Sequence, residues 1–147
     1  MDNIRITKLK PGDENKLKQL LDLYIEVFGE PDYPKSLDYL PALLQRPTVI
    51  FIIAEEGDEV IGGLTAHVLP SVYGDYSEIY MYDLAVTKKH QRHGVGSKLL
   101  ASLKDFGKSS GVTEVFVQAD TPDTEARNFY IKNGGIEEDV RHYGFPV

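Results

Sequence analysis

Apolar residues along the chain alternate between two periods, and the switches between them lay out its elements. "IRITKLK" sets Ile4 and Ile6 two apart, the spacing of a half-buried strand. Pro11 and Gly12 turn the chain, and Asp13 is placed to cap a helix in which Leu17, Leu20, Leu21, Tyr24 and Phe28 recur at helical spacing. "GEPDYP" breaks that helix, and a short second one includes "ALLQ" before Pro47. "TVIFIIAEE" is continuously apolar, as a buried strand is, and a Gly-Asp turn joins it to "EVIGGLTAHVL" as a hairpin. "PSVYGDYS" reads as a loop, and "EIYMYDLAV" as a long strand of aromatic and branched residues. Val95, Leu99, Leu100, Leu103 and Phe106 give the next helix one apolar stripe, which Gly111 ends. "EVFVQAD" is a further strand. "TPDTEARNFYIKNGG" is a helix with Asp123 as its N-cap and Ala126, Phe129 and Tyr130 inside, and "EEDVRHYGFPV" predicts a short terminal strand. Hairpins first and an αβ crossover second predict a mixed sheet in one α/β (α+β) domain spanning 1–147.

Composition narrows the function classes. A chain of 147 residues with 41% hydrophobic and 27% charged residues has the make-up of a globular domain rather than a disordered one. No apolar run approaches the roughly 20 residues that cross a bilayer, and "MDNIRITKLKPGDEN" lacks the apolar core of a secretory signal, so the expected setting is the cytoplasm without membrane association. The absence of cysteine excludes disulfides and thiol catalysis. A net charge of -7 disfavours nucleic acid and suits a cationic partner. The histidines at 67, 90, 93 and 142 lack H-x-x-x-H spacing, so no metal site is expected.

The chemistry concentrates at "HQRHGVGSKLL". A strand that ends in a tight glycine loop and opens a helix presents free backbone N–H groups together with the positive end of the helix dipole, which makes an anion site. Gly94 and Gly96 would let a pyrophosphate approach the backbone without meeting a Cβ atom. Neither the Walker phosphate loop nor the three-glycine dinucleotide fingerprint is present. "QRHGVG" resembles the Q/R-x-x-G-x-G/A motif of the GNAT superfamily of N-acetyltransferases, and "ARNFYIKNGG" resembles that superfamily's A-x-x-F-Y-x-K-x-G segment on the following helix. "FGE" at 28–30, "DYL" at 38–40, "HVLP" at 67–70, "SEIYMYDLAV" at 77–86, "VQAD" at 117–120 and "EEDVRHY" at 137–143 are similar to type I aminoglycoside 3-N-acetyltransferases.

The resemblance implies a GNAT fold, with about four helices around a sheet whose fourth and fifth strands splay apart, and acetyl-CoA as cosubstrate. It implies that Leu84, Ala85 and Val86 hold the pantetheine arm, and that a bulge near there frees N–H groups for the thioester carbonyl. Gln91, Arg92, His93, Gly94, Val95, Gly96 and Ser97 would wrap the pyrophosphate, and Tyr130 would protonate the leaving thiolate. The acceptor is then a small-molecule amine, polycationic by the charge argument, and a homodimer is left open. Its ammonium must lose a proton at an effective cost of about 4–5 kcal/mol at pH 7, and Asp83, Asp120, Glu78 and His142 are candidates to take it, with Asp120 and His142 favoured. Plain alternation puts Glu78, Tyr80, Tyr82 and Leu84 on one face and Asp83 on the other, unless a bulge changes the order. Glu78, Tyr80, Tyr82, Asp83 and Glu137 are expected to meet the acceptor. Around them, Asp22, Glu26, Glu30, Asp32, Asp38, Asp75, Asp123, Glu138 and Asp139 could give one cleft a negative field. Competing readings are a polyamine, another small amine or a protein lysine as acceptor, and an acyl-CoA-binding module without transfer.

Overall fold

The computed structural model describes residues 3–29 and 36–147. The first helix breaker, "GEPDYP", and the acids Glu30 and Asp32 lie largely or wholly outside those residues. Five strands form one sheet in sequence order: Ile4–Lys8 (β1), Val49–Glu56 (β2), Glu59–Pro70 (β3), Ser77–Val86 (β4) and Val112–Val117 (β5). The first four are antiparallel neighbours: β2, β3 and β4 follow one another through short connections, whereas the chain from β1 to β2 passes through two helices. β5 runs parallel to β4, because the chain between them crosses over through the helix Val95–Lys108 (α3). The remaining helices are Glu14–Phe28 (α1), Leu40–Leu44 (α2) and Thr124–Lys132 (α4).

Both faces of the sheet are covered, which is why β2 reads as an unbroken apolar run. On one face Leu17, Leu20 and Leu23 of α1 and Leu40 and Leu44 of α2 pack on Phe51, Ile53 and Ala85. On the other, Val95, Leu99 and Leu103 of α3 pack on Ile50, Ile52, Leu64, Ile79 and Met81. Each such side chain contributes roughly 1.5–3 kcal/mol by leaving water. Asp123 caps α4 as expected, its carboxylate accepting from the Ala126 N–H at 3.1 Å. Asp13 does otherwise: its side chain accepts from the Lys10 N–H at 2.9 Å and holds the preceding turn, leaving the start of α1 without a side-chain cap.

The terminal strand expected from "EEDVRHYGFPV" is not formed. Residues 136–147 carry no regular secondary structure and are exposed throughout. Their alternating pattern suits a strand, but among the described residues no strand of the same chain pairs with them.

Candidate active site

The parallel pairing of β4 with β5 stops at Met81 and Val117, whereas β4 continues to Val86. From Tyr82 onward one side of β4 therefore faces a gap. At that point the β3–β4 register slips: Thr65 is opposite Asp83 and Ala66 is opposite Met81, so Tyr82 is an extra residue, a β-bulge. The bulge reverses the side-chain order. Ile79 and Met81 point toward α3, and beyond the bulge Leu84 and Val86 also pack on that side, which sends Asp83 and Ala85 to the face of α1 and α2. Simple alternation had placed Asp83 and Tyr80 on opposite faces; the extra residue is what brings Asp83 around.

Backbone direction follows from the same register. Thr87 donates to the Ile61 carbonyl at 2.8 Å, so the pairs Ala85–Gly63 and Asp83–Thr65, two and four residues back, are the hydrogen-bonded ones. The N–H and C=O groups of Leu84 and Val86 then point away from β3 into the gap. Gln91 confirms the direction, because its amide donates to the Val86 carbonyl at 2.9 Å. Leu84 and Val86 thus offer free N–H donors, while the backbone of Ala85 is bonded to β3.

On the α1–α2 face Asp83 lines a cavity of about 200 Å³ with Tyr24, Tyr39, Thr65 and His67. Burial pushes its carboxyl above the ordinary carboxylate range, opposed by a hydrogen bond from Thr65 and by His67. Tyr24 lies 2.8 Å from the Thr65 hydroxyl. One hydrogen bond joins the two hydroxyls, and burial pushes the Tyr24 phenol well above its usual value, which keeps it protonated. Tyr24, Thr65 and His67 were not anticipated as site residues. Tyr24 falls on the apolar stripe of α1, where a tyrosine reads as core, and the pairing of Thr65 with Asp83 depends on the bulge.

Past β4 the chain makes one 3₁₀ turn, Lys88–His90, and a loop that enters α3 at Gly94. His90 is buried, with Nδ1 2.8 Å from the Thr87 hydroxyl and Nε2 2.8 Å from Glu56, so it fastens the loop to the end of β2. The first α3 hydrogen bond runs from the Lys98 N–H to the Gly94 carbonyl, which leaves the N–H groups of Val95, Gly96 and Ser97 without helical partners. Three donors at the positive end of a 14-residue helix fit a pyrophosphate. The Arg92 and His93 side chains are exposed, Arg92 lying 4.0 Å from Glu125.

The two glycines serve different ends. Gly94 adopts φ +82° with open space where a Cβ would stand, so the loop needs its left-handed conformation and leaves room for an incoming group. At Gly96 a Cβ would lie 3.1 Å from the Phe129 ring, so this glycine lets α4 pack against the start of α3. Gly94→Val forces a β-branched residue into a left-handed conformation costing about 1–2 kcal/mol. If the loop relaxes to avoid that strain, acetyl-CoA affinity should fall about tenfold. Titration calorimetry with CoA checks this; unchanged affinity would detach Gly94 from the anion site.

Tyr130, on α4, packs its ring against the α3-side core and Phe129. Its hydroxyl has no hydrogen-bond partner among the described residues. Burial, and to a lesser extent Asp123, push the phenol up to about 12. The other expected residues disperse. Tyr80 stacks on Phe116 at 4.9 Å and donates to Gln118 at 3.0 Å, bridging the two strands just before they part. Tyr82 is exposed and edge-on to His67. Glu78 is half-buried opposite Leu69 of β3. Asp120 lies beyond the end of β5 on an exposed turn, and His142 lies on the exposed tail, so neither borders the Asp83 cavity. Glu137 is engaged by Arg127 through two hydrogen bonds, at 2.7 and 3.2 Å. Of the surrounding acids, Asp22 is paired with Lys18. No cluster of histidine and carboxylate ligands able to hold a metal occurs among the described residues.

Comparison with known proteins agrees with this geometry. The profile of the acetyltransferase (GNAT) family matches residues 17–134. The uncharacterized N-acetyltransferase YhfO of Bacillus subtilis (strain 168) is 28% identical over 98% of both chains. The crystal structure of the aminoglycoside acetyltransferase meta-AAC0020, from an uncultured soil metagenomic sample and in complex with sisomicin, superposes with a TM-score of 0.96 at 32% identity, covering 99% of this chain and 97% of that one. HMB0005, another aminoglycoside acetyltransferase from an uncultured soil metagenomic sample, gives 0.91 at 35% identity over 98% of each.

Proposed function

The chain belongs to the acetyltransferase (GNAT) family, and from that premise we propose that it transfers acetyl from acetyl-CoA to an aminoglycoside, with the 3-amino group as acceptor. The observation that carries the reading is the half-buried Asp83, set in a cavity directly beside the free N–H groups of Leu84 and Val86. A proton acceptor for the amine and donors for a carbonyl oxygen thus adjoin on one strand, and this chain's relatives at 32–35% identity are aminoglycoside acetyltransferases.

The residues present fit acetyl-CoA. Val95, Gly96 and Ser97 offer N–H groups to its pyrophosphate, the gap between β4 and β5 admits its pantetheine arm, and the group brings the acetyl as an activated thioester. Asp83 takes the ammonium proton, directly or through water, so that the neutral nitrogen can form the new C–N bond. The fixed N–H donors at Leu84 and Val86 meet the charge that grows on the carbonyl oxygen, and they need no reorganisation to do so. Tyr130 would donate its hydroxyl proton in a hydrogen bond to the sulfur of a bound acetyl-CoA as the thiolate leaves. A phenol held up to about 12 binds its proton more tightly than a thiol near 8.5. Tyr130 would therefore stabilise the thiolate chiefly by hydrogen bonding, and the second proton, which the nitrogen sheds as the amide forms, would reach the sulfur through solvent.

Polycation recognition has its own test. With a net charge of -7 on the chain, part of the acceptor's affinity arises from exposed carboxylates, and these are screened over about 10 Å at 0.1 M salt. KM for gentamicin should rise several-fold from low to high ionic strength while kcat holds, and KM for a monoamine should move less. NMR of the product should place the acetyl on the 3-amino nitrogen. A KM indifferent to salt would remove the polycation, and acetylation elsewhere on the sugar rings would remove the regiochemical assignment.

A further inference from the structure

We propose that the sheet face beside the Asp83 cavity is a second acceptor subsite, where an amine-bearing sugar ring lies on the aromatic strip of Tyr82, Tyr80 and Phe116. The inference rests on the aminoglycoside reading and extends it from the reacting amine to a neighbouring ring of the same molecule. Tyr82 and Tyr80 belong to β4 and Phe116 to β5, and their rings adjoin in that order. Tyr82 and Tyr80 are 5.7 Å apart and tilted, and Tyr80 stacks on Phe116 at 4.9 Å. The two tyrosines stand outside the cavity, yet the strip is continuous with it. His67 lines the cavity beside Asp83 and meets the Tyr82 ring edge-on at 6.0 Å.

The backbone explains why rings and base share one face. Ile79 and Met81 are buried on the α3 side, so Tyr80, between them, points to the opposite face. Val115 and Val117 also pack on the α3 side, which turns Phe116, the register partner of Tyr80, the same way. Plain alternation would then bring Tyr82 to this face and turn Asp83 away. The extra residue of the bulge keeps both of them here. Helices α1 and α2 pack farther along the sheet, on Phe51, Ile53 and Ala85, and Tyr82 is left 64% exposed. Joined aromatic surface left open at the mouth of a pocket marks a place for a ligand.

The chemistry of the strip selects its occupant. The face of a tyrosine ring attracts an ammonium, and its carbons bury the apolar C–H surface of a sugar. Aminoglycosides carry both features on one ring. The charge at the far end agrees. Glu78, two residues before Tyr80, is the register partner of Glu114, two before Phe116. Neighbouring carboxylates repel, and among the described residues neither is held in an ion pair. A second ammonium on the strip would relieve that repulsion. From Asp83 to Glu78 the strand runs on the order of 15 Å. A single-ring acceptor reaches Asp83 without the strip, and a linear polyamine spans the distance but has no ring face to lay on the tyrosines.

Steady-state kinetics of Tyr82 variants test the subsite, with gentamicin compared against 2-deoxystreptamine, the isolated central ring that bears the 3-amino group. Tyr82→Leu keeps an apolar side chain at this exposed position and removes the ring. It should raise KM for gentamicin about tenfold while kcat holds, and kcat/KM for 2-deoxystreptamine should fall less. Tyr82→Phe, which keeps the ring, should recover most of the gentamicin KM. An unchanged KM in Tyr82→Leu, an equal fall with both acceptors, or a Phe variant as impaired as the Leu variant overturns the subsite and leaves the aminoglycoside reading in place. Wild-type protein that releases CoA no faster with gentamicin than without any amine overturns that reading, and the subsite with it.

Discussion

Asp83→Asn is expected to lower kcat by about 10²–10⁴-fold, the usual worth of a positioned base, while making the folded protein more stable at neutral pH. The two effects have one cause. Burial holds the Asp83 carboxyl above the ordinary carboxylate range, so the fold favours the protonated form. A group with a raised folded pKa contributes stability below its unfolded pKa and loses it as pH rises through the folded value. At pH 7 the ionised carboxylate therefore costs stability, and an amide of the same shape relieves that cost. Thermal melting should shift upward at pH 7, and the gain should vanish in acid, where Asp83 is already neutral. The wild-type rate should fall on the acid side through a pKa higher than that of an exposed aspartate, and Asp83→Asn should lose that limb. A variant of unchanged melting temperature and near wild-type rate would make Asp83 a bystander.

Tyr130→Phe should lower kcat by roughly 10–10²-fold with acetyl-CoA affinity nearly intact. The ring, which packs on Phe129 and the α3-side core, is retained, so the fold is undisturbed. What disappears is one hydrogen bond to a forming thiolate, and bonds to charged groups contribute about 1.5–3 kcal/mol. A full proton transfer in the rate-limiting step would give a larger loss, up to about 10⁴-fold, and so would revise the hydrogen-bonding role. A loss below a few-fold would return Tyr130 to the core. Rapid-quench measurement of the first turnover separates these outcomes from a change in product release.

The sequence made the frame legible because its signals are local. The paired glycines after a long strand announced the helix N-terminus at Val95, and Asp123 before "TEARNFY" announced the cap of α4, which its bond to Ala126 realises. What stayed hidden depends on contacts between distant segments. The extra residue at Tyr82 leaves no mark in the alternation of "EIYMYDLAV", yet it decides which face Asp83 takes. The reason for Gly96 is the Phe129 ring, more than thirty positions away in sequence, so a motif that seemed wholly about the ligand is in part about helix packing. His90 sits amid the loop's polar residues, and nothing local in the sequence shows that it is buried against Glu56. "EEDVRHYGFPV" has the alternation of a strand, but alternation alone supplies no neighbouring strand to bond with, and among the described residues the sheet has none for it.

The central claim, acetyl transfer to an aminoglycoside, is tested most directly by following CoA thiol release with acetyl-CoA against gentamicin, spermidine and a lysine peptide. The account predicts rapid release with gentamicin, slow release with the other two, and loss of the gentamicin signal in Asp83→Asn. Release no faster with gentamicin than without any amine would contradict it.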